Sequence, residues 1–216
     1  MLTTKKKRII IWSCIVIVLI VFLGGSLYIK KLEKNGLAAY ENKDYKICYD
    51  DLKKNLTFNF FAKSDVLKTA GICAYNTGNF ADAIKDYQKS LKKDDTYSTR
   101  LLLGNAYRDQ GDNNLAIENY TQLINNNPNY KYQPVYINLM TVYLTEDDTQ
   151  KAIDLGNKFL NNPTNYNDIS NEDISADILF LLRSAYQKNG DTVKANEIAQ
   201  RLIKYNPSLS VIMEKQ

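Results

Sequence analysis

Residues 97–130 read YSTRLLLGNAYRDQGDNNLAIENYTQLINNNPNY, and the spacing of their apolar and small residues predicts two antiparallel helices joined by a tight turn. Leu103, Gly104 and Tyr107 share one face of the first helix, and Gly111-Asp112 supplies the turn. Ala116, Tyr120 and Leu123 line one face of the second helix, which Pro128 stops. Gly104 and Ala116 let the two backbones approach, while Leu103, Tyr107 and Tyr120 fill the space around them.

A single hairpin of this kind cannot bury its own apolar face, so copies are expected on either side. The small residue that opens the packing face of the second helix recurs as Cys48, Ala83, Ala116, Ala152 and Ala195, at spacings of 35, 33, 36 and 43. The turn position five residues upstream recurs as Lys43, Gly78, Gly111, Asp147 and Gly190. The close-approach position on the first helix reads Gly36, Gly71, Gly104, Met140 and Arg183, kept in three copies and lost in two. Stops follow at Asp95, Pro128, Pro163 and Pro207. Leu-Gly, Tyr, Gly, Ala and Pro at these offsets resemble the tetratricopeptide repeat (TPR), a helix-turn-helix unit of about 34 residues. The resemblance implies an all-α TPR solenoid of about five repeats over residues 30–216, the first and fourth degenerate, with Asp95 standing where the family has proline.

Residues 1–29 form a separate segment. Ile9 to Ile29 is a run of 21 residues without a charge, and at about 1.5 Å per residue it spans the roughly 30 Å core of a bilayer. The expectation is one transmembrane anchor helix. A cleaved signal peptide competes, because Gly24 and Ser26 are small and suitably spaced, but the run exceeds an ordinary signal core of about 7 to 15 residues. Cys14 has too few apolar residues before it for a lipoprotein cysteine and reads as one more apolar residue of the span. Lys5, Lys6, Lys7 and Arg8 precede the run and favour a cytoplasmic N-terminus with the repeats outside, although Lys30, Lys31 and Lys34 dilute that bias.

Those four N-terminal cations account for the net charge of +4; the remaining 24 Lys and Arg face 24 Asp and Glu in residues 30–216. A neutral repeat region gives no basic face for nucleic acid. Lys53-Lys54 and Lys92-Lys93 read as solvated ends of second helices, where cations complement the helix dipole. Cys48 and Cys73 read as packing residues, with a Cys48–Cys73 disulfide open to an extracytoplasmic domain.

Ser26 to Asn42 continue the membrane helix into the first repeat unless Gly24-Gly25 or Asn35-Gly36 break it. Phe58, Phe60 and Phe61 in the connector NLTFNFFAK are expected to pack beneath neighbouring helices. Pro134 opens the first helix of repeat four. Asn161–Asp173 is the longest insertion, and its tail presents Ser170 as a helix N-cap. Asp168, Glu172 and Asp173 lack the spacing of a calcium loop. Leu209, Val211 and Ile212 of the tail cover the apolar end of repeat five or, uncovered, leave it open to self-association.

The chain has no histidine, which removes histidine-based nucleophilic systems, general bases and metal ligands. It also lacks a glycine-rich phosphate loop. Asp50-Asp51, Asp94-Asp95 and Asp147-Asp148 are neighbours at expected helix ends or turns, not carboxylates facing one another across a cleft. No cofactor, metal or small-molecule substrate is expected, and an enzyme is the reading with least support.

Binding remains. In the TPR family the first helices line a concave groove for a peptide or partner helix. By register, the resemblance puts Lys68, Tyr75, Asn105, Arg108, Asn138, Thr141, Ser184, Gln187 and Lys188 on it, with Tyr75 and Arg108 as anchors. The chaperone-tail clamp of some family members is not matched: Lys68 is followed by Ile72, Leu102 stands where an Asn is needed and Pro134 where a Lys is needed. The expected function is a membrane-anchored, non-enzymatic adaptor that holds a protein partner outside the cytoplasm and assists secretion or envelope assembly. The alternative is a cytosol-facing membrane receptor for chaperones or targeting sequences.

Overall fold

The computed structural model describes residues 4–126, 133–161 and 172–205, and every regular element among them is an α-helix. They fall into two compact units, residues 1–95 and 96–216. The first holds α1 (Thr4–Glu41), α2 (Tyr45–Phe58), α3 (Ser64–Asn76) and α4 (Phe80–Lys93). The second holds α5 (Tyr97–Gln110), α6 (Asn113–Asn126), α7 (Gln133–Thr145), α8 (Thr149–Leu160), α9 (Glu172–Lys188) and α10 (Thr192–Tyr205).

Consecutive helices pair as hairpins: α1 with α2 and α3 with α4 in the first unit, then α5 with α6, α7 with α8 and α9 with α10 in the second. All five turns close alike. Lys43, Gly78, Gly111, Asp147 and Gly190 are left-handed, with φ of 60°, 76°, 92°, 58° and 79°. The next residue, Asp44, Asn79, Asp112, Asp148 or Asp191, donates its N–H back to the carbonyl five residues earlier, at 2.8–2.9 Å. This closure satisfies the orphan carbonyls of the outgoing helix. The carbonyl of that same residue accepts the N–H of Cys48, Ala83, Ala116, Ala152 or Ala195, so one Asp or Asn ends one helix and starts the next. The side chains of Asp44 and Asp191 also cap, accepting from the N–H groups of Ile47 and Lys194.

Those five small residues are buried, at 0–2% exposure, and one turn further on sits the side chain that fills the hairpin. A methyl group on Gly36 would stand 2.7 Å from Leu52, one on Gly71 2.5 Å from Tyr87, and one on Gly104 2.7 Å from Tyr120. Repeat four makes the same contact with the sizes exchanged: Met140 occupies the first helix and meets Gly156 on the second, where a methyl would lie 2.9 Å from its Cε. The repeat departs from the sequence pattern yet keeps the packing, because bulk on one helix is matched by its absence on the other.

Helix α1 runs unbroken through Gly24-Gly25 and Asn35-Gly36. Its described stretch is long and apolar enough to cross a membrane and is almost wholly exposed, whereas Leu32, Gly36 and Ala39 are buried against the repeats. Cys48 of α2 and Cys73 of α3 form a disulfide, with Cα atoms 5.9 Å apart. Both side chains are fully buried, so the packing role and the bond coincide.

Several expectations change. Phe58, Phe60 and Phe61 do not pack beneath helices; they are exposed. The reason lies in Asn55 and Asn59, which take the contacts to α1: Asn55 Nδ2 donates to the Ile29 carbonyl at 2.8 Å and Asn59 Nδ2 to Glu33 at 3.4 Å. Lys53 does not serve a helix dipole, because its Nζ reaches Asp82 of α4 at 2.7 Å; Lys92 and Lys93 do lie in the last turn of α4. Asp50 and Asp51 sit within α2, not at its end. Pro134 lies in the first turn of α7 as expected. Ser170, Asp168, the three proline stops and the tail with Leu209, Val211 and Ile212 fall outside the described residues.

Candidate protein-interaction face

In the second unit, seven of the sequence-selected residues lie on the first helices α5, α7 and α9. Asn105 and Asn138, both half-buried, hold α5 to α7. Asn105 Oδ1 accepts from the hydroxyl of buried Tyr120 at 2.7 Å and from Asn138 Nδ2 at 2.8 Å. Asn138 Oδ1 accepts from Arg108 Nη1 at 3.0 Å, and Arg108 Nε donates to Asp109 at 2.8 Å. One polar chain thus runs from the hairpin core to the surface, ending in a guanidinium whose side chain keeps 29% of its exposure. Held from two sides, the Arg108 guanidinium is pre-oriented.

Lys188 closes a second link. Its Nζ donates to the Leu144 carbonyl at 3.0 Å and to Asp147 at 2.8 Å, tying the end of α9 to the turn after α7. That hydrogen bond holds the Asp147 carboxyl below its ordinary pKa. Thr141 and Gln187 are exposed and Ser184 half-buried; the Thr141 hydroxyl returns to the Ile137 carbonyl. In the first unit Lys68 and Tyr75 are half-buried on α3, and the Tyr75 ring meets Phe80 edge-on at 5.5 Å.

Residue-by-residue reading missed a polar cleft of about 320 Å³ between α2 and α4, floored by Ala70. Asp82 Oδ2 there accepts from Tyr49 Oη and Lys53 Nζ, each at 2.7 Å, and both bonds hold its pKa low. Asp86 in the same cleft is pushed up to about 6 by burial. Tyr49 and Asp82 stand one place past Cys48 and one before Ala83, so the register turns them to opposite faces of successive second helices, the faces that meet across the cleft, which was the available signal. Among the described residues, no group of three or more His, Cys, Asp or Glu could hold a metal ion.

Residues 64–97 and 99–130 each match the tetratricopeptide repeat family. The chain carries tetratricopeptide repeats. Among curated proteins none matches the chain, but solved structures do. A crystal structure of MamA superposes with a TM-score of 0.68 at 18% identity, covering 85% of this chain and 94% of that one. TPR-like repeats of a Podosopora anserina kinesin light chain give 0.66 at 12% identity, covering 84% and 96%. The C-terminal part of a TPR protein from Cytophaga hutchinsonii gives 0.67 at 16% identity, covering 83% and 66%. At such identities the likeness carries the fold alone. The TPR fold is a protein-interaction scaffold.

Proposed function

We propose that this TPR protein is a membrane-anchored, non-enzymatic adaptor whose repeats hold a protein partner outside the cytoplasm and assist secretion or envelope assembly. The observation that carries the reading is α1: one helix bears both an exposed apolar stretch of membrane-spanning length and the buried face of the first repeat. The Cys48–Cys73 disulfide supports the extracytoplasmic side, since such bonds persist in oxidising compartments. The partner contacts are assigned to Lys68 and Tyr75 in the first unit and to Asn105, Arg108, Asn138, Thr141, Ser184, Gln187 and Lys188 in the second. Arg108 and Tyr75 act as anchors, and Asn105 and Asn138 position Arg108.

Protease accessibility in intact cells, spheroplasts and lysed cells tests the topology. Cleavage of the repeats before lysis is expected. Protection until lysis overturns the reading and makes the chain a cytosol-facing receptor for chaperones or targeting sequences. For the face itself, Tyr75→Ala combined with Arg108→Ala is expected to weaken capture of a crosslinked partner about tenfold or more, in line with the loss of two interface anchors, while leaving the helical spectrum unchanged. Undiminished capture by this variant would remove the assignment.

A further inference from the structure

Phe58, Phe60 and Phe61 are 59%, 84% and 91% exposed, a density of uncovered aromatic surface that a water-facing connector rarely carries. Together with Val21, Phe22, Gly25 and Ile29 of α1 they line an apolar groove of about 660 Å³. The groove's position along α1 decides what covers it. Asn55 bonds the Ile29 carbonyl, and α2 runs antiparallel to α1, so the chain beyond Asn55 descends along α1 toward its N-terminus. Phe58–Phe61 thereby come alongside Val21 and Phe22, which lie up to about 12 Å below Ile29 along the helix and inside the uncharged run Ile9–Ile29. Lys30, Lys31 and Lys34 stand just above that level on α1 together with Glu33, which also lines the groove and accepts from Asn59, and Lys54 and Lys63 flank the connector, which has no acid between Asn55 and Ser64.

Apolar rings level with the last turns of a span, bordered by five lysines and one glutamate, match the depth profile of a bilayer leaflet: hydrocarbon and glycerol beside the rings, anionic headgroups beside the lysines. We propose that the Phe58–Phe61 connector is a second membrane contact, inserted beside α1 in the outer leaflet, with a lipid acyl chain occupying the groove between them. This rests on the reading of α1 as a membrane span. It makes the first repeat a partly lipid-embedded base, not a domain raised on a stalk.

Trp12 is the single tryptophan of the chain and lies in the apolar run, so it reports on the span independently. The full-length protein is reconstituted in vesicles of phosphatidylcholine and phosphatidylglycerol, with or without bromine on the acyl chains near the headgroup. The native chain is compared with a Trp12→Phe/Phe61→Trp variant of unchanged helical spectrum. Several-fold quenching of the indole at position 61 by the brominated lipids, comparable to that of Trp12, is the expected result. Quenching of Trp12 with none at position 61 overturns the inference and leaves the span standing. An indole at position 61 that brominated lipid does not quench, but that is shielded from aqueous iodide increasingly as the protein-to-lipid ratio rises, assigns the rings to a second copy and overturns it too. Quenching at neither position removes the membrane span and the inference with it.

Discussion

Tyr87 and Tyr120 occupy the same place in successive repeats, and both are fully buried, yet only one hydroxyl is provided for. Asn105, next to Gly104, accepts from Tyr120 at 2.7 Å; its counterpart next to Gly71 is Ile72, and the Tyr87 hydroxyl has no hydrogen-bond partner among the described residues. Removing a satisfied hydroxyl loses about 1 kcal/mol, and removing an unsatisfied buried one recovers desolvation. Tyr120→Phe should therefore lower the urea midpoint while Tyr87→Phe leaves it unchanged or raises it; equal losses in both would dismiss the distinction. Asp86 offers a second test. Burial pushes its carboxyl up to about 6, Lys89 pulling the other way and Asp82 adding to the rise. The folded state thus keeps a proton that the unfolded chain releases near pH 3.8, so this stabilisation is complete below pH 3.8 and is lost as pH rises through about 6. Asp82 has the opposite sign, its contribution being lost as pH falls below the ordinary carboxylate range. Asp86→Asn should remove a decline of about 1–2 kcal/mol on raising the pH across that window. Parallel pH profiles for the two proteins would show that the carboxyl is not held protonated. The Met140 and Gly156 exchange was hidden from a reading of one column at a time, because it exists only as a pair across the hairpin.

At the scale of the element, the turns were legible because their constraint is local. A left-handed residue followed by Asp or Asn and, five places on, a small side chain leaves its mark whatever surrounds it. Lys43 and Asp147 hold that conformation without being glycine, which is why phase, more than residue identity, revealed the first and fourth repeats. The Phe58–Phe61 connector was not legible: whether its rings turn inward depends on Asn55 and Asn59 reaching α1, a contact 26 residues away in the chain. The disulfide belongs to this scale as well. Cys48 and Cys73 close a loop of 25 residues between α2 and α3, worth about 3–4 kcal/mol by the chain-entropy account. Cys48→Ser/Cys73→Ser should accelerate amide exchange in α2 and α3 and leave α6 as it was. Exchange unaltered in α2 would mean that packing alone secures the first hairpin.

For the whole molecule, charge separates the proposed anchor from the repeats. The four cations Lys5 to Arg8 stand against a region with 24 of each sign, so orientation rests on the N-terminus against the diluting Lys30, Lys31 and Lys34. Replacing Lys5, Lys6, Lys7 and Arg8 by Gln should invert a share of the molecules. Their Cys48 and Cys73 would then react with a thiol reagent after denaturation without reductant, as cysteines facing a reducing cytoplasm do. If every molecule stays oxidised, the four cations do not set the orientation. That the fold is a protein-interaction scaffold was legible from the repeats; the partner was not, because first-helix side chains such as Asn105 and Asn138 spend their polar groups on each other, which no list of groove positions reveals.

Because α1 passes from the apolar run into the first hairpin without a break, residue count there sets compass bearing. One alanine inserted at Gly24-Gly25, where no neighbour touches either glycine, would swing the first repeat about 100° around the helix axis and lift it about 1.5 Å. Seven would bring it back close to its original azimuth, about 10 Å higher. If the partner is itself fixed in the membrane, capture should rise and fall with the helical period as alanines are added, not decline steadily with length.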